Sequence, residues 1–166
     1  MAKNRSYTVK VKRKRNKKTD YNLRLKLIKS GKQRLLIRKS LKNILIQVVK
    51  SEDSRDKVVI SCHSRELKKF GWGYNLVNIP SAYLTGFLFG KKALKKGVKE
   101  AILDLGLQKS VVKSRLYSAL KGCIDAGLNV PHNPKIFPNE ERIKGSHINN
   151  EIKNKFEEVK KKIENG

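Results

Sequence analysis

Hydrophobic residues in the first half of the chain are gathered into three short runs that polar residues separate. The runs are rich in Ile, Val and Leu, which is typical of β-strands, and they cover residues 34–40, 43–50 and 57–64. The links between them are short, and the longer one, residues 51–56, is entirely polar. Because short links join antiparallel neighbours, the pattern predicts a three-stranded antiparallel meander.

Four other stretches carry hydrophobic residues at helical spacing, with capping residues near their ends. Thr19 or Asp20 can cap the first helix and Gly31 can end it, while Asn78 can cap the second with Pro80 in its first turn. The predicted helices cover residues 21–30, 80–96, 114–126 and 148–163.

The first and the last of these helices both have an apolar side. In the first it comprises Tyr21, Leu23, Leu25, Leu27 and Ile28. In the last it comprises Ile148, Ile152, Phe156, Val159 and Ile163, at intervals of four, four, three and four. We expect this last side to be buried, either on its own domain or on a neighbouring protein. Lys160 to Lys162 offer the alternative of an RNA contact.

A short apolar strand at residues 101–105 follows the long helix and can pair parallel to the first strand through a right-handed crossover. Gly86 and Gly90, four apart, would let that helix lie close to the sheet. The element order predicts an α/β fold with a mixed β-sheet packed with helices. We divide the chain into a basic N-terminal tail (1–18), an α/β domain (19–130), and an irregular Pro-containing segment with the C-terminal helix (131–166).

Charge changes this picture, because the chain carries a net charge of +26 and has a pI near 10.3. Residues 1–50 hold 18 Lys and Arg and one acid, Asp20, whereas residues 51–166 hold 22 Lys and Arg and 13 acids. The first third therefore contributes +17 and the rest +9. Such a balance predicts a polyanionic partner: nucleic acid, an anionic membrane surface or an acidic protein.

The charge is densest in residues 10–18, "KVKRKRNKK", where seven of nine residues are Lys or Arg. No acid lies among them, so these cations repel one another unless a dense polyanion neutralises them. A solvated, disordered charge run is the alternative reading. The longest apolar stretch, within residues 79–90, is too short to cross a bilayer, and the chain does not open with a secretory signal.

Individual residues of this basic region suggest particular contacts. Arg5, Arg13 and Arg15 could bind phosphates in a bidentate manner, and the lysines would act as point charges. Tyr7 and Tyr21 could stack on unpaired bases, or equally pack against protein. The end of the first strand and its turn add three cations, Arg38, Lys39 and Lys42, which could also serve to protect an edge strand from aggregation.

Catalytic and metal-binding chemistry finds little support in the sequence. Cys62 and Cys123 lack the close pairing of zinc ligands and are read as buried free thiols, and no phosphate-binding Gly-rich loop is present. Glu66, Asp104 and Asp125 are the carboxylates that a metal-dependent nuclease could use. Asp104 and Glu100 are better explained as partners of nearby lysines.

Four long blocks of the chain resemble a known family. They are "KTDYNLRLKLIKSGKQRLLIRKS", "SCHSRELKKFGW", "PSAYLTGFLFGKKALKKGVKEAILDLGL" and "SRLYSALKGCIDAGLNVPHNPKIFPNEERIKGSHI". In this order they are similar to the large-subunit ribosomal proteins that bind 5S rRNA, the universal large-subunit protein eighteen family in its archaeal form. The resemblance covers about residues 5–148. Leu41 and Asn43 depart from it, standing where relatives commonly have Asn and His.

This resemblance implies a structural, non-enzymatic protein of the cytoplasmic ribosome that has no cofactor, no membrane and no small-molecule substrate. It implies that the chain attaches 5S rRNA to the large subunit in the central protuberance, with large-subunit (23S-type) rRNA and neighbouring ribosomal proteins as further partners. With the charge pattern, it gives these expected RNA contacts: Arg5, Tyr7, Lys10, Lys12, Arg13, Lys14, Arg15, Lys17, Lys18, Tyr21, Arg24, Arg38, Lys39, Ser40, Lys42, Trp72, Arg115 and Lys121. The competing hypotheses are a nuclease and a nonspecific DNA-compacting or membrane-binding protein.

Overall fold

A four-stranded mixed sheet forms the centre of the protein, whose computed structural model describes residues 8–52 and 55–165. The strands are β1 (Arg34–Lys39), β2 (Ile44–Glu52), β3 (Arg55–His63) and β4 (Ile102–Asp104), in the spatial order β3-β2-β1-β4. The antiparallel meander is confirmed, and β4 pairs parallel to β1 as expected.

The predicted turn between β2 and β3 is longer than the real one. The two strands continue pairing through Lys50 with Lys57 and Glu52 with Arg55, so most of residues 51–56 belongs to the sheet. Their polar composition was read as a turn, but polar residues are compatible with strands whose side chains face solvent. A β-bulge at Val48 and Val49 adjusts the register of this hairpin.

Six α-helices are present in the described ranges, in chain order: α1 (Lys12–Arg15), α2 (Tyr21–Lys29), α3 (Ile79–Lys95), α4 (Arg115–Asp125), α5 (Glu140–Lys144) and α6 (Asn150–Asn165). The predicted caps are confirmed. Asp20 accepts hydrogen bonds from the amides of Asn22 and Leu23, and Asn78 accepts one from Ser81. The left-handed Gly31 follows the end of α2.

Two helical elements were not predicted, one in the N-terminal tail and one directly after β3. Within the basic N-terminal tail, for which no helix was predicted, Lys12–Arg15 form one helical turn with no buried residue. A 3-10 helix, Ser64–Phe70, follows β3, where the sequence pattern predicted no element. It begins with a reciprocal cap, in which Glu66 accepts from the His63 amide and His63 accepts from the Arg65 amide.

Helices α3 and α4 lie against each other and cover one face of the sheet. A Cβ atom on Gly86 would lie 1.9 Å from the Ala119 carbonyl oxygen, and one on Gly122 would lie 2.1 Å from that of Tyr83. The close approach expected of Gly86 is therefore real, but it is to a helix and not to the sheet. The prediction named the wrong neighbour because spacing alone does not identify the opposing surface.

The C-terminal helix packs on its own domain. Ile152, Phe156, Val159 and Ile163 are all buried in the same core as the sheet, and the Phe156 ring lies 5.5 Å from that of Tyr83. Ile148, the first residue of the predicted stripe, is 50% exposed and precedes the helix, so its inclusion was wrong. The remaining stripe is confirmed.

Candidate nucleic-acid interface

The strand register divides the sheet side chains between two faces. One face carries Leu35, Ile37, Ile46, Val48 and Cys62 into the core. The opposite face, here called the open face, carries the side chains that alternate with these. Cross-strand pairing aligns them in two rows, Leu36 with Gln47 and Ser61, and Arg38 with Leu45 and His63.

The N-terminal segment, residues 8–29, contributes no buried residue to the core. An ion pair joins the segment to the sheet, and a further hydrogen bond lies within the segment. The Arg24 guanidinium donates to Asp56 Oδ1 of β3 at 3.1 Å, and Arg13 Nε donates to Thr19 Oγ1 at 2.9 Å within the segment.

A pocket of about 280 Å³ lies between the N-terminal segment, the open face and the loop after β4. Its walls and floor combine charged and apolar side chains from parts of the chain that are far apart in sequence. They are Arg13, Lys18, Thr19, Asp20, Leu23, Arg24, Arg34, Leu36, Arg38, Asp56, Asp104, Leu105, Gly106 and Leu107. Four of the predicted RNA contacts thus meet at one place.

The floor of this pocket is an ion-pair network centred on Arg34, which is only 4% exposed. Its guanidinium donates to Asp104 Oδ2 at 2.9 Å and also to Asp56, while Asp104 Oδ1 accepts from the Gly106 amide at 2.9 Å. Burial by itself lowers the pKa of Arg34, but the two carboxylates outweigh it, and the net pKa is raised. The floor is therefore charged yet internally neutralised.

The cations at the rim of the pocket, unlike Arg34 on its floor, are not neutralised by carboxylates in the part of the chain that the structure describes. Within residues 8–52 and 55–165, no ion pair reaches Arg13, Lys18 or Arg38, and all three are exposed. The neighbouring turn adds the exposed Lys39 and Lys42. These groups form a surface whose charge a polyanion can neutralise without first breaking protein contacts.

The predicted contacts of the tail are exposed where the structure describes them. Arg5 and Tyr7 lie outside the described residues. Tyr21 and Arg24 are half-buried on α2. The exposed ones are Lys10, Lys12, Arg13, Lys14, Arg15, Lys17 and Lys18.

Ser40 shapes the turn between β1 and β2. Its hydroxyl donates to the Asn43 carbonyl and accepts from the Asn43 amide, both at 3.0 Å. These bonds fix the turn that carries Lys39 and Lys42, so Ser40 positions the cations whatever else it touches.

The prediction that Trp72 contacts RNA is wrong, because its side chain is only 1% exposed and belongs to the core. Its indole N–H donates to the Asn75 carbonyl at 3.2 Å, which leaves no ring surface or donor for RNA. The motif that suggested it is explained by packing: Gly71 before it has a φ of +88° and ends the 3-10 helix.

Arg115 and Lys121 of α4 are only partly available. Arg115 donates to the Val77 carbonyl at 3.2 Å and lines a shallow surface groove together with Lys39, so it extends the basic surface along one end of the sheet. Lys121 pairs with Asp125 at 3.0 Å and lies 5.5 Å from the Phe137 ring. It belongs to the helix layer behind the sheet, away from the rim cations.

Sequence reasoning missed Arg34 as part of this site. Its position in the otherwise apolar run "RLLI" was the available signal, since an Arg in a buried strand requires a partner. Asp104 pairs with this Arg34 and not with a lysine, which corrects the earlier expectation. The expected lysine pairing of Glu100 is confirmed, with Lys32 at 2.9 Å.

The carboxylates considered for a nuclease do not converge. Asp104 is held by Arg34, Glu66 pairs with Lys92, and Asp125 accepts from the Tyr83 hydroxyl at 2.8 Å. Among the described residues no group of three or more metal-ligating side chains is found. Each candidate carboxylate has a structural role of its own.

The two cysteines are free and buried, as predicted. Burial, and then the nearby Glu66, raise the pKa of the Cys62 thiol to about 12, and burial raises that of Cys123 as well. Both thiols therefore remain protonated, and weakly nucleophilic, at neutral pH.

Comparisons with known proteins agree with this basic α/β architecture. A family model described as ribosomal large subunit proteins 60S L5 and 50S L18 matches residues 5–100 and 95–133. The chain is 49% identical over 148 residues to the large ribosomal subunit protein uL18 of Korarchaeum cryptofilum, covering 89% of this chain and 76% of that protein. It is 43% identical over 148 residues to uL18 of Methanothermobacter thermautotrophicus, covering 89% and 77%.

The fold and the exposed cationic surface are those of an RNA-binding structural protein, and the comparisons specify which kind. The chain belongs to the uL18 family of large-subunit ribosomal proteins, in its archaeal form. It is accordingly a cytoplasmic structural component of the ribosome with rRNA and ribosomal proteins as partners, and not an enzyme. None of the helices in the described part of the chain is long and apolar enough to span a bilayer.

Proposed function

We propose that this chain binds 5S rRNA and attaches it to the large subunit in the central protuberance. Large-subunit rRNA and neighbouring ribosomal proteins are the other partners in this proposal. Membership of the uL18 family supports it at the level of the ribosome, and the resemblance of the four sequence blocks supports it at the level of 5S rRNA.

One structural observation carries the proposal: residues 10–18 hold seven exposed Lys and Arg, and none of them forms an ion pair with the described residues. Arg13 and Lys18 meet Arg38 of β1 at the pocket rim. Elsewhere on the chain several cations are paired with acids, for example Lys155 and Lys162 with Glu158. Because charges that lack protein partners gain most from phosphates, this surface is the expected site of RNA contact.

In this proposal residues 1–18 act as an RNA-binding arm and the turn after β1 as a second contact. The arm binds phosphates through Lys and Arg, and Tyr21 stacks on an unpaired base. Arg38, Lys39 and Lys42 bind phosphates beside it, and Arg115 extends the contact along the groove it shares with Lys39. Lys121, held by Asp125, contributes least.

Filter binding of the purified chain to an archaeal 5S rRNA, across a salt series, tests the proposal. If roughly 6 to 10 phosphates are contacted, affinity should fall by about three to five decades between 50 and 200 mM salt, by analogy with duplex DNA. A transfer RNA of similar size serves as the competitor. Equal affinity for both RNAs would replace specific recognition by nonspecific nucleic-acid binding, and a flat salt response would overturn the electrostatic account.

A further inference from the structure

The pocket under the N-terminal segment has a composition that phosphate binding does not explain. Its rim carries Arg13, Lys18 and Arg38, but its floor carries two carboxylates, Asp56 and Asp104. Because these carboxylates are already paired with the buried Arg34, a phosphate drawn into the floor would find no free cation there and would have to compete with existing ion pairs. The deep part of the pocket therefore suits a neutral group.

The walls of the pocket include apolar side chains from three parts of the chain. Leu23 of α2, Leu36 of β1, and Leu105 and Leu107 of the loop after β4 all line the space. Leu36 is 8% exposed, but Leu23 and Leu107 are 37% and 55% exposed. Apolar side chains left this open beside fixed polar groups are typical of a ligand site, in which a flat apolar body is bound and its edge is read by hydrogen bonds.

Size restricts the occupant further. Pockets for whole drug-sized molecules usually measure roughly 300 to 1,000 Å³, and this one measures about 280 Å³. A single nucleobase is a flat, neutral ring with donors and acceptors on its edge. When a base is unstacked from a single-stranded loop, its own phosphate remains attached and would lie at the cationic rim.

We propose that this pocket takes one unpaired nucleotide of the bound RNA, with its base between Leu23 and the leucines of the sheet side and its phosphate at Arg13, Lys18 and Arg38. The inference rests on the proposed function, since the RNA must first be bound. It adds a specific base site to what would otherwise be phosphate contacts alone.

Substitutions of leucine by tryptophan, inside and outside the pocket, test the proposal without altering any charge. Leu23 lines the pocket and Leu25, two residues further along α2, does not. Leu23→Trp therefore places a bulky ring in the pocket, and Leu25→Trp, at a position 54% exposed, is the matched control on the same helix. Leu107→Trp fills the pocket from the opposite wall and guards against a local defect in α2.

The experiment measures the affinity of each protein for a set of 5S rRNAs, each lacking one base at an unpaired position. For the wild type and Leu25→Trp, we expect one position, or two adjacent ones, where base removal lowers affinity about tenfold. For Leu23→Trp and Leu107→Trp, affinity for intact RNA should fall by about the same factor, and removal of that base should cost nothing further. The salt dependence should be equal in all four proteins.

The wild type could bind 5S rRNA tightly, with every base removal affecting it and the variants Leu23→Trp and Leu107→Trp equally. That result would overturn this inference and leave the proposed function standing. Failure of the wild type to bind 5S rRNA at all would overturn the proposed function, and this inference with it.

Discussion

Two helices of this protein, α2 and α6, both carry lysines and were both predicted to have an apolar side, yet only α6 belongs to the core. Helix α6 buries Ile152, Phe156, Val159 and Ile163, whereas α2 has no buried residue. The difference lies in spacing. Apolar residues three and four apart stay on one side of a helix, but Leu23, Leu25 and Leu27 are two apart and spread around it.

Their charges differ in the same way. In α6, Glu158 accepts from both Lys155 and Lys162, whose hydrogen bonds lower its pKa to about 2. In α2 the first turn contains no acid; Asp20 caps the helix, and Arg24 pairs with Asp56 of the sheet. Glu158 thus neutralises two lysines of α6, whereas Lys26 and Lys29 of α2 are exposed and form no ion pair with the described residues.

The largest difference should appear when each region is removed. Truncation after Ile148 takes away four buried side chains, each worth about 1.5 to 3 kcal/mol of burial, which together approach the total stability of a typical domain. We expect loss of the cooperative thermal transition in circular dichroism. Deletion of residues 1–18 should leave the melting temperature almost unchanged. Similar melting of the two truncated proteins would refute the comparison.

Single substitutions in the two helices test the same difference between α6 and α2 residue by residue. Phe156→Ala creates a cavity beside Tyr83 and should lower the free energy of unfolding by about 3 to 5 kcal/mol. Leu25→Ala, at an exposed position, should change it by no more than about 0.5 kcal/mol. Urea denaturation of both variants measures this, and a substantial loss from Leu25→Ala would mean that α2 is a core element after all.

Two arginines of β1 separate stability from binding. Arg34→Ala leaves Asp56 and Asp104 without their buried cation and should destabilise the fold by about 3 to 5 kcal/mol. Arg38→Ala removes an exposed cation, so stability should hold while the slope of log affinity against log salt for 5S rRNA decreases by about one. Paired unfolding and filter-binding measurements compare the two, and equal loss of stability would contradict the division.

The smallest expected effect concerns the thiols. Because burial holds the pKa of Cys62 near 12 and raises that of Cys123, neither should react appreciably with a disulfide reagent at pH 8 in the native protein. Both should react once the protein is unfolded in guanidinium. Rapid labelling of one thiol under native conditions would show that this part of the core opens readily.

Much of the fold was predictable because its signals are local. The caps at Asp20 and Asn78, the apolar runs of the sheet and the stripe of α6 each follow from residues close together in sequence. The 3-10 helix at Ser64–Phe70 was missed because its start depends on the side chain of His63 acting as an unusual cap.

The candidate site was predictable in its cations but not in its shape. Lysines and arginines can be counted in a sequence and are usually exposed, and most of the predicted RNA contacts that the structure describes are indeed exposed. The pocket depends on long-range contacts, such as Arg34 with Asp104, 70 residues away, and these leave no local pattern. Trp72 was misassigned for the same reason, since an aromatic residue beside glycines fits either a core or a stacking surface.

The central claim is that the N-terminal tail binds RNA and does not support the fold. It is tested most directly by deleting residues 1–18, which removes 9 of the 40 Lys and Arg, and by measuring circular dichroism and 5S rRNA binding on the same sample. We expect a spectrum that loses no more than the single helical turn of α1, a shallower salt dependence and an affinity at moderate salt reduced by about a hundredfold or more. An affinity equal to that of the full chain, with the fold intact, would contradict the account.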